Sequence, residues 1–389
     1  MSLSRRRFLQ GTGAGVAGSA LVGGLAAAGA QADTVAAPAV PDSYPFHGVR
    51  QAGISSPGQR FATFVAFDAT AADRTALTSM FKALTDRARF LTAGGTPPDL
   101  GVGAPPSDSA VLGPSVPADG LTVTVSVGAS LFDSRYGLRK PAGLSAMPIF
   151  PDDALDPAWC HGDVMVQICA NNIDTVHHAL RDLTRHTRDG MQPRYRLDGF
   201  GSPPRPSGTP RNLLGFKDGI SQPTDEVVWL PDGSCYQVVR FIRTLVEFWD
   251  RVSISEQERM FGRRRDSGAP LDGSVETDIP DYGKDPDGKV IPVDAHIRLA
   301  NPRTAASEGS RILRRPFNYD RGFQPNGTID AGLLFCSYQQ DIGRQFEAVQ
   351  HRLAGEPLTD YVTPFGGGYF YVLPGVVDGS DHYARELLT

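Results

Sequence analysis

The feature that most constrains the fold is the repetition of one supersecondary unit in the two halves of the chain. Residues 163–188 and residues 332–353 each contain a buried-looking strand that continues into a helix with one apolar face. The two units are similar in length and in the order of their elements, which indicates an ancient duplication. We therefore expect two related modules, each built from strands and helices together.

The residues that precede the first repeated unit add strands and a helix to it. Strand composition occurs at 61–67, at 121–125 and again at 163–170. A helix whose apolar residues recur at spacings of three, four and seven lies between the first two strands, and a second helix follows the candidate N-cap residue Asn172. The order strand–helix–strand–strand–helix is most of a ferredoxin-like unit.

The second half of the chain repeats this pattern more loosely. The sequence predicts strands and helices at 236–242, 255–261, 333–338, 342–353 and 369–373, the second and fourth of these being helical. Two such units with their sheets edge to edge could form a sandwich or a barrel. We predict an α+β fold of two ferredoxin-like modules with antiparallel sheets, of the dimeric α+β barrel type. The N-terminal module is assigned to residues 33–208 and the C-terminal module to residues 209–389.

Length, charge and cysteine content exclude several classes of protein. The 389 residues suit two domains better than one. The 38 basic and 43 acidic side chains leave a net charge of −5, which argues against a protein that coats nucleic acid. The four cysteines form no CxxC pair, which excludes a zinc ribbon and a covalent CxxCH haem attachment and leaves their disulfide state open.

The N-terminal 32 residues have the composition of an export signal. Arg5-Arg6-Arg7-Phe8-Leu9 precedes an uncharged stretch rich in Gly and Ala, and Ala30-Gln31-Ala32 has the small-x-small pattern of a cleavage site. A membrane anchor is the alternative, but the apolar stretch is short and only weakly hydrophobic. We predict a twin-arginine signal peptide at residues 1–32, a periplasmic, extracellular or cell-surface location, and no stable membrane insertion after cleavage.

Three polar stretches in the second half could carry chemistry. They are Gly215-Phe216-Lys217-Asp218-Gly219, the segment from His296 to Arg303, and the segment from Arg311 to Tyr319. Each has an ordinary explanation when taken alone: a turn in which Asp218 bonds its own backbone, a surface histidine, and a solvated basic turn. No one of them identifies a function.

Taken together, these stretches resemble the DyP-type (dye-decolorising) haem peroxidases, and more closely their exported deferrochelatase/peroxidase subgroup. The first fits the family's GxxDG motif, the second begins with the histidine of an HIRLANPR-like segment, and the third contains the arginine of an ILRR segment. The likeness extends over nearly all of the chain after the signal segment. It implies paired ferredoxin-like modules with haem in the C-terminal one, in agreement with the duplicated pattern.

The resemblance implies a role for each residue of the site. His296 would be the proximal ligand of the haem iron, and the group that accepts a hydrogen bond from its other ring nitrogen stays unidentified. Asp218 would move a proton on the distal face, and Arg314 would stabilise negative charge there. Arg298 and Arg303 could pair with the haem propionates. The implied cofactor is one non-covalent haem b per chain.

The implied activity is reduction of hydrogen peroxide with oxidation of organic donors, such as dyes and phenolics, through a ferryl intermediate. A rival interpretation is a haem-handling deferrochelatase that releases iron for an uptake system. A structural domain without a cofactor is a third. The sequence leaves open whether the protein forms a homo-oligomer and whether it binds partners of an iron-uptake system. Oxidation of large donors at a surface aromatic residue is also implied, with Trp229, Trp249 and Tyr319 as candidates, although ordinary core positions are the more frequent use of such residues.

Overall fold

The structure is a computed structural model that describes residues 42–389, so the predicted signal segment lies outside the described residues. Within 42–389, no helix is both long enough and apolar enough to cross a membrane. The strands are β1 Phe61–Ala69, β2 Thr122–Gly128, β3 Val164–Ala170, β4 Met191–Phe200, β5 Cys235–Thr244, β6 Leu313–Arg314, β7 Phe317–Phe323, β8 Ile329–Gln339 and β9 Val362–Val372. The helices are α1 Arg74–Ala93, α2 Ile173–Thr187, α3 Val246–Trp249, α4 Ile254–Phe261, α5 His296–Ala300, α6 Ala305–Glu308, a π-helix Ile342–Glu347 that continues as α7 Ala348–Leu353, and α8 Arg385–Leu388.

The N-terminal module is a ferredoxin-like unit. Its strands lie in the order β4-β1-β3-β2 with antiparallel pairing throughout, and α1 packs beside α2. The sequence pattern did not predict β4, because its residues include Pro193, which removes a backbone donor, and several charged side chains. A register shift next to Pro193 accommodates this proline in the pairing of β4 with β1. The prediction of a ferredoxin-like unit is confirmed and completed by this strand.

The C-terminal module has the matching order β7-β8-β5-β9. Strand β7 begins inside the basic segment that sequence reasoning treated as a candidate turn, and it pairs with β8. The helix predicted for 342–353 is present, but its first part is a π-helix. The predicted α+β class with antiparallel pairing is therefore confirmed in both modules.

The two modules share one closed sheet. β2 pairs with β9 over three residues, and β4 meets β7 at the single pair Phe200–Asn318. Because β5 also pairs with both β8 and β9, the eight strands other than β6 form a barrel without free edges. Of the two arrangements that the local patterns leave open, the structure has the predicted barrel.

The alternation of side chains along β5 separates two environments. Val239 and Phe241 point into the barrel and pack in its buried core, whereas Arg240 and Ile242 point outward. The outward-facing side of β5 and β8 forms one wall of a cavity that α5 and α7 cover. The candidate site therefore lies outside the barrel, against the sheet of the C-terminal module.

Candidate active site

The cavity has a volume of about 310 Å³ and mostly apolar walls. Its apolar lining comes from β8, α4, the π-helix and α7, and includes Leu333, Phe335, Phe261, Phe346, Val349 and Leu353. Four of the five predicted functional residues, Asp218, His296, Arg303 and Arg314, also line it. Residues that are 78 and 18 positions from His296 in the chain thus reach one cavity, which combines largely apolar walls with several charged side chains, as a site for a charged aromatic cofactor requires.

His296 is the first residue of the short helix α5, which ends before Pro302, a residue that disfavours helical backbone in its predecessor. The Nδ1 atom of His296 lies 2.8 Å and 3.0 Å from the two carboxylate oxygens of Glu356. A carboxylate can only accept, so Nδ1 carries the hydrogen and donates it, and Nε2 keeps its lone pair in the neutral ring. Glu356 is the hydrogen-bond partner of His296 that the sequence did not identify.

Two opposing influences act on the pKa of His296. Burial, the larger single influence, lowers the pKa, whereas the charge of Glu356 and its hydrogen bond raise it. The net effect is a pKa above the ordinary value. Weaker contributions come from Arg314, which lowers the pKa, and from Asp218, which raises it, so both charges lie near enough to affect the imidazole.

Asp218 and Arg314 form an ion pair in the cavity. The Nη1 atom of Arg314 donates to Oδ1 of Asp218 at 2.6 Å. Asp218 sits in a turn flanked by Gly215 and Gly219, whose φ angles of +86° and +107° suit glycine. The carboxylate of Asp218 therefore accepts a hydrogen bond from Arg314, 96 residues away. It does not bond the backbone of its own turn, which was the ordinary explanation for this Asp-Gly pair.

The turn that carries Asp218 is anchored by its neighbour Lys217. The ammonium group of Lys217 donates to the carbonyl of Ser207 at 3.0 Å and to the carboxylate of Glu276. Glu276 also accepts from the backbone N–H of Thr209 at 3.1 Å. Burial raises the pKa of Glu276, but these hydrogen bonds, above all that from Lys217, outweigh it and hold the pKa below its ordinary value.

Arg298 and Arg303, the two residues expected to pair with the haem propionates, differ in their surroundings. Arg303 lines the cavity, and within residues 42–389 its buried Nε atom has no hydrogen-bond partner. Arg298 does not line the cavity, and its guanidinium donates to the carbonyl of Ile291 at 2.8 Å and lies 3.6 Å from Asp285. The geometry therefore corrects the expectation for Arg298, because its charge is already engaged in the loop that precedes α5.

The aromatic candidates for surface oxidation are all buried. Trp229, Trp249 and Tyr319 are 6%, 2% and 0% exposed. Trp249 donates its indole N–H to the carbonyl of Leu214, in the turn before Asp218. These residues are core positions, so the prediction that one of them presents a surface to large donors is not supported. The four cysteines are also buried, and all of them are free thiols.

Family models match both modules of this chain. The model described as "Dyp-type peroxidase, N-terminal" matches residues 51–201, and that described as "Dyp-type peroxidase, C-terminal" matches residues 209–377. The chain therefore belongs to the DyP-type peroxidase family, and it is an enzyme of that type. This membership indicates a haem cofactor.

Curated proteins and solved structures are similar to this chain over most or all of its length. A protein named deferrochelatase from Yersinia pseudotuberculosis is 48% identical over 100% of this chain and 95% of its own length. A deferrochelatase from Escherichia coli O6:K15:H31 is 47% identical over 99% of this chain and 97% of its own. Among solved structures, a DyP-type peroxidase from Cellulomonas bogoriensis aligns with a TM-score of 0.80 at 35% identity, covering 89% of this chain and 98% of that one. Ferric DtpA from Streptomyces lividans aligns with a TM-score of 0.80 at 34% identity, covering 90% and 98%.

Proposed function

We propose that this protein binds one non-covalent haem b per chain in the cavity and uses it to reduce hydrogen peroxide at the expense of organic donors such as dyes and phenolics. The observation that carries the proposal is that a histidine backed by a carboxylate and an aspartate–arginine pair line one apolar cavity. When bound, haem supplies the redox chemistry that none of these side chains has.

The residues of the cavity fit a haem group. His296 would hold the haem iron through the lone pair of its Nε2, and the apolar walls suit the porphyrin ring. The unpartnered Nε of Arg303 suits a propionate, which would satisfy this buried donor. The absence of a CxxC pair from the sequence supports non-covalent binding.

Asp218 is proposed as the proton carrier. Its Oδ1 accepts a hydrogen bond from Arg314, so Oδ2 is the oxygen that we assign to take a proton from hydrogen peroxide. The same oxygen then returns the proton to the departing oxygen atom, which leaves as water. The fixed positive charge of Arg314 stabilises the negative charge that develops as the O–O bond breaks heterolytically.

Glu356 is proposed to tune His296. By accepting the Nδ1 hydrogen, it fixes the tautomer and the orientation of the ring and makes Nε2 a stronger electron donor. With haem bound, this electron donation would favour cleavage of the O–O bond of the peroxide.

Release of iron from haem is the second candidate function. It is favoured by the full-length similarity to two proteins named deferrochelatase. Both functions use His296, but only peroxide turnover needs the pair formed by Asp218 and Arg314.

One comparison separates the two functions. The absorption spectrum of the haem-loaded protein is recorded before and after one equivalent of peroxide, for the parent and for D218N, and free iron and intact porphyrin are quantified in parallel. Rapid spectral change in the parent and slow change in D218N support the peroxidase. Equal reactivity of the two proteins, with iron and intact porphyrin released together, supports deferrochelation.

We also propose export by the twin-arginine route, on the pattern of residues 1–32. Replacing the arginine pair in R5K/R6K should retain the full-length precursor in the cytoplasm, whereas the parent should reach the periplasm or the medium in its shortened form. Export of both forms to the same extent would contradict this route.

A further inference from the structure

Gln222 joins the two segments that carry the distal ion pair. Its side-chain Nε2 donates to the backbone carbonyl of Arg314 at 2.8 Å, and its Oε1 accepts from the backbone N–H of Arg314 at 3.0 Å. Its own backbone carbonyl accepts from the side chain of Arg311 at 3.0 Å. One side chain therefore makes two hydrogen bonds to the peptide groups of a single residue across the chain.

The position of Arg314 explains why this clamp is needed. Strand β6 has only two residues and pairs on one side with β8. The neighbouring Arg315 donates its backbone N–H to β8, at the carbonyl of Cys336, whereas the N–H and C=O of Arg314 point the other way, toward Gln222. The amide of Gln222 thus takes the place of a missing neighbouring strand at the residue that bears the functional guanidinium.

We propose that Gln222 is a positioning residue that holds the Arg314 backbone in register with the turn of Asp218. The proposal rests on the distal roles that we assigned to Asp218 and Arg314. Gln222 follows Asp218 by four residues, so the clamp and the Asp218–Arg314 hydrogen bond tie the two segments together at two points. Without the clamp, the N–H and C=O of Arg314 lose the two hydrogen bonds that Gln222 gives them, and the guanidinium can leave the position set by Asp218.

The chain offers a matched control for this arrangement. Gln51, in the N-terminal module, donates its Nε2 to the carbonyl of Val125 at 2.7 Å and accepts the N–H of Val125 at 2.8 Å. Gln51 thus makes the same pair of bonds to one residue in a buried place that does not line the cavity, and its Nε2 also donates to the carbonyl of Leu373 at 2.7 Å. Q51M therefore reports what the loss of such a clamp does to the fold without touching the distal pair.

The first measurement uses the haem-free protein. Because the Arg314 N–H donates to the Gln222 side chain, Q222M should speed hydrogen exchange at this amide at least about tenfold while leaving the amides of β8 protected. Q51M should leave exchange at the Arg314 amide unchanged. Unchanged exchange at Arg314 in Q222M would overturn the proposal, because the clamp would not be holding that peptide group.

The second measurement is a double-mutant cycle on the haem-loaded protein. Displacement of a functional group by about 1 Å can cost about 10²-fold, so Q222M should slow the stopped-flow reaction with peroxide by roughly 10- to 100-fold at unchanged haem content. In the R314L background the same change should alter the rate by less than about twofold, since Gln222 acts through Arg314. Q51M should change the rate by less than about twofold in both backgrounds while lowering the melting temperature.

The outcomes are distinguishable. If R314L reacts like the parent, the proposed distal role of Arg314 fails, and this inference fails with it. If R314L reacts slowly with peroxide but Q222M reacts at the parent rate, only the positioning role of Gln222 fails. The same holds if Q222M slows R314L by a factor similar to that by which it slows the parent. If Q222M loses haem, Q222E serves as the test variant in its place. Q222E keeps the length of the side chain and the acceptor for the Arg314 N–H but loses the donor. A slow, haem-replete Q222E then supports the proposal, and loss of haem from both variants refutes it, because Gln222 would be needed for the haem site as a whole.

Discussion

Replacing Glu356 with glutamine tests the electronic coupling of the histidine ligand. The two carboxylate oxygens lie 2.8 Å and 3.0 Å from the Nδ1 atom of His296, and the single Nδ1 hydrogen is shared between them. Glu356 is 7% exposed, so water does little to screen its charge. E356Q keeps nearly the same volume and can still accept one hydrogen bond through its amide oxygen, so the loss is mainly that of the charge.

The size of the effect follows from the type of bond. A hydrogen bond to a charged acceptor contributes about 1.5–3 kcal/mol and a neutral one about 0.5–1.5 kcal/mol, so the charge accounts for roughly 1–1.5 kcal/mol at His296. This corresponds to a factor of about ten, the lower end of the 10- to 100-fold effect that is typical for partners of metal ligands. We therefore expect E356Q to bind haem about tenfold more weakly and to show a more positive reduction potential, because His296 donates less electron density to the iron.

The assay is a haem titration of the haem-free protein followed by potentiometry of the loaded protein. E347Q is the matched control, because Glu347 accepts from the hydroxyl of Tyr369 at 3.1 Å and does not line the cavity. E347Q should leave the haem affinity and the reduction potential close to those of the parent. An unchanged affinity and potential in E356Q would refute the reasoning, since the charge next to Nδ1 would then have no influence on the iron.

Four further predictions concern the same cavity. H296A should lose most of its haem in a titration, and retention of the parent spectrum would show that another residue binds the iron. D218N should slow the stopped-flow reaction with peroxide by about 10²–10⁴-fold and R314L by about 10²–10³-fold at constant haem content, and parent-like rates in both would remove the pair from the mechanism. R303L should weaken haem binding more than R298L, and equal affinities would contradict the assignment of the unpartnered arginine to a propionate. In the haem-free protein, the raised pKa of His296 contributes stability that is fully present below the ordinary pKa of 6.5 and is lost as pH rises through the raised pKa. Denaturant titrations should therefore find the stability advantage of the parent over H296A to be largest on the acid side. A difference in stability that does not depend on pH would contradict this reasoning.

Much of the fold was predictable because it depends on local patterns. The apolar spacing along α1 and the continuous apolar run of β3 are properties of neighbouring residues, and both elements occur where the pattern indicates them. Strand β4 was not predictable, since Pro193 and its charged neighbours have poor strand propensity and are held in place by pairing with β1. The local patterns by themselves did not decide between a barrel and a sandwich, because closure depends on contacts between β2 and β9, and between β4 and β7, which are far apart in the chain.

The same division applies to the site. The motifs around Asp218, His296 and Arg314 could be read as a set from the sequence, because a resemblance to a family preserves the order of residues along the chain. Glu356, which lies 60 residues from His296, and Gln222, which lies 92 residues from Arg314, left no local signal. A hydrogen bond between side chains depends on distances and directions in space, and only the packing of the loops and helices against the sheet sets these. For the same reason, only the tertiary structure could distinguish Arg303, which has a buried donor left free in the cavity, from Arg298, whose charge is engaged outside it.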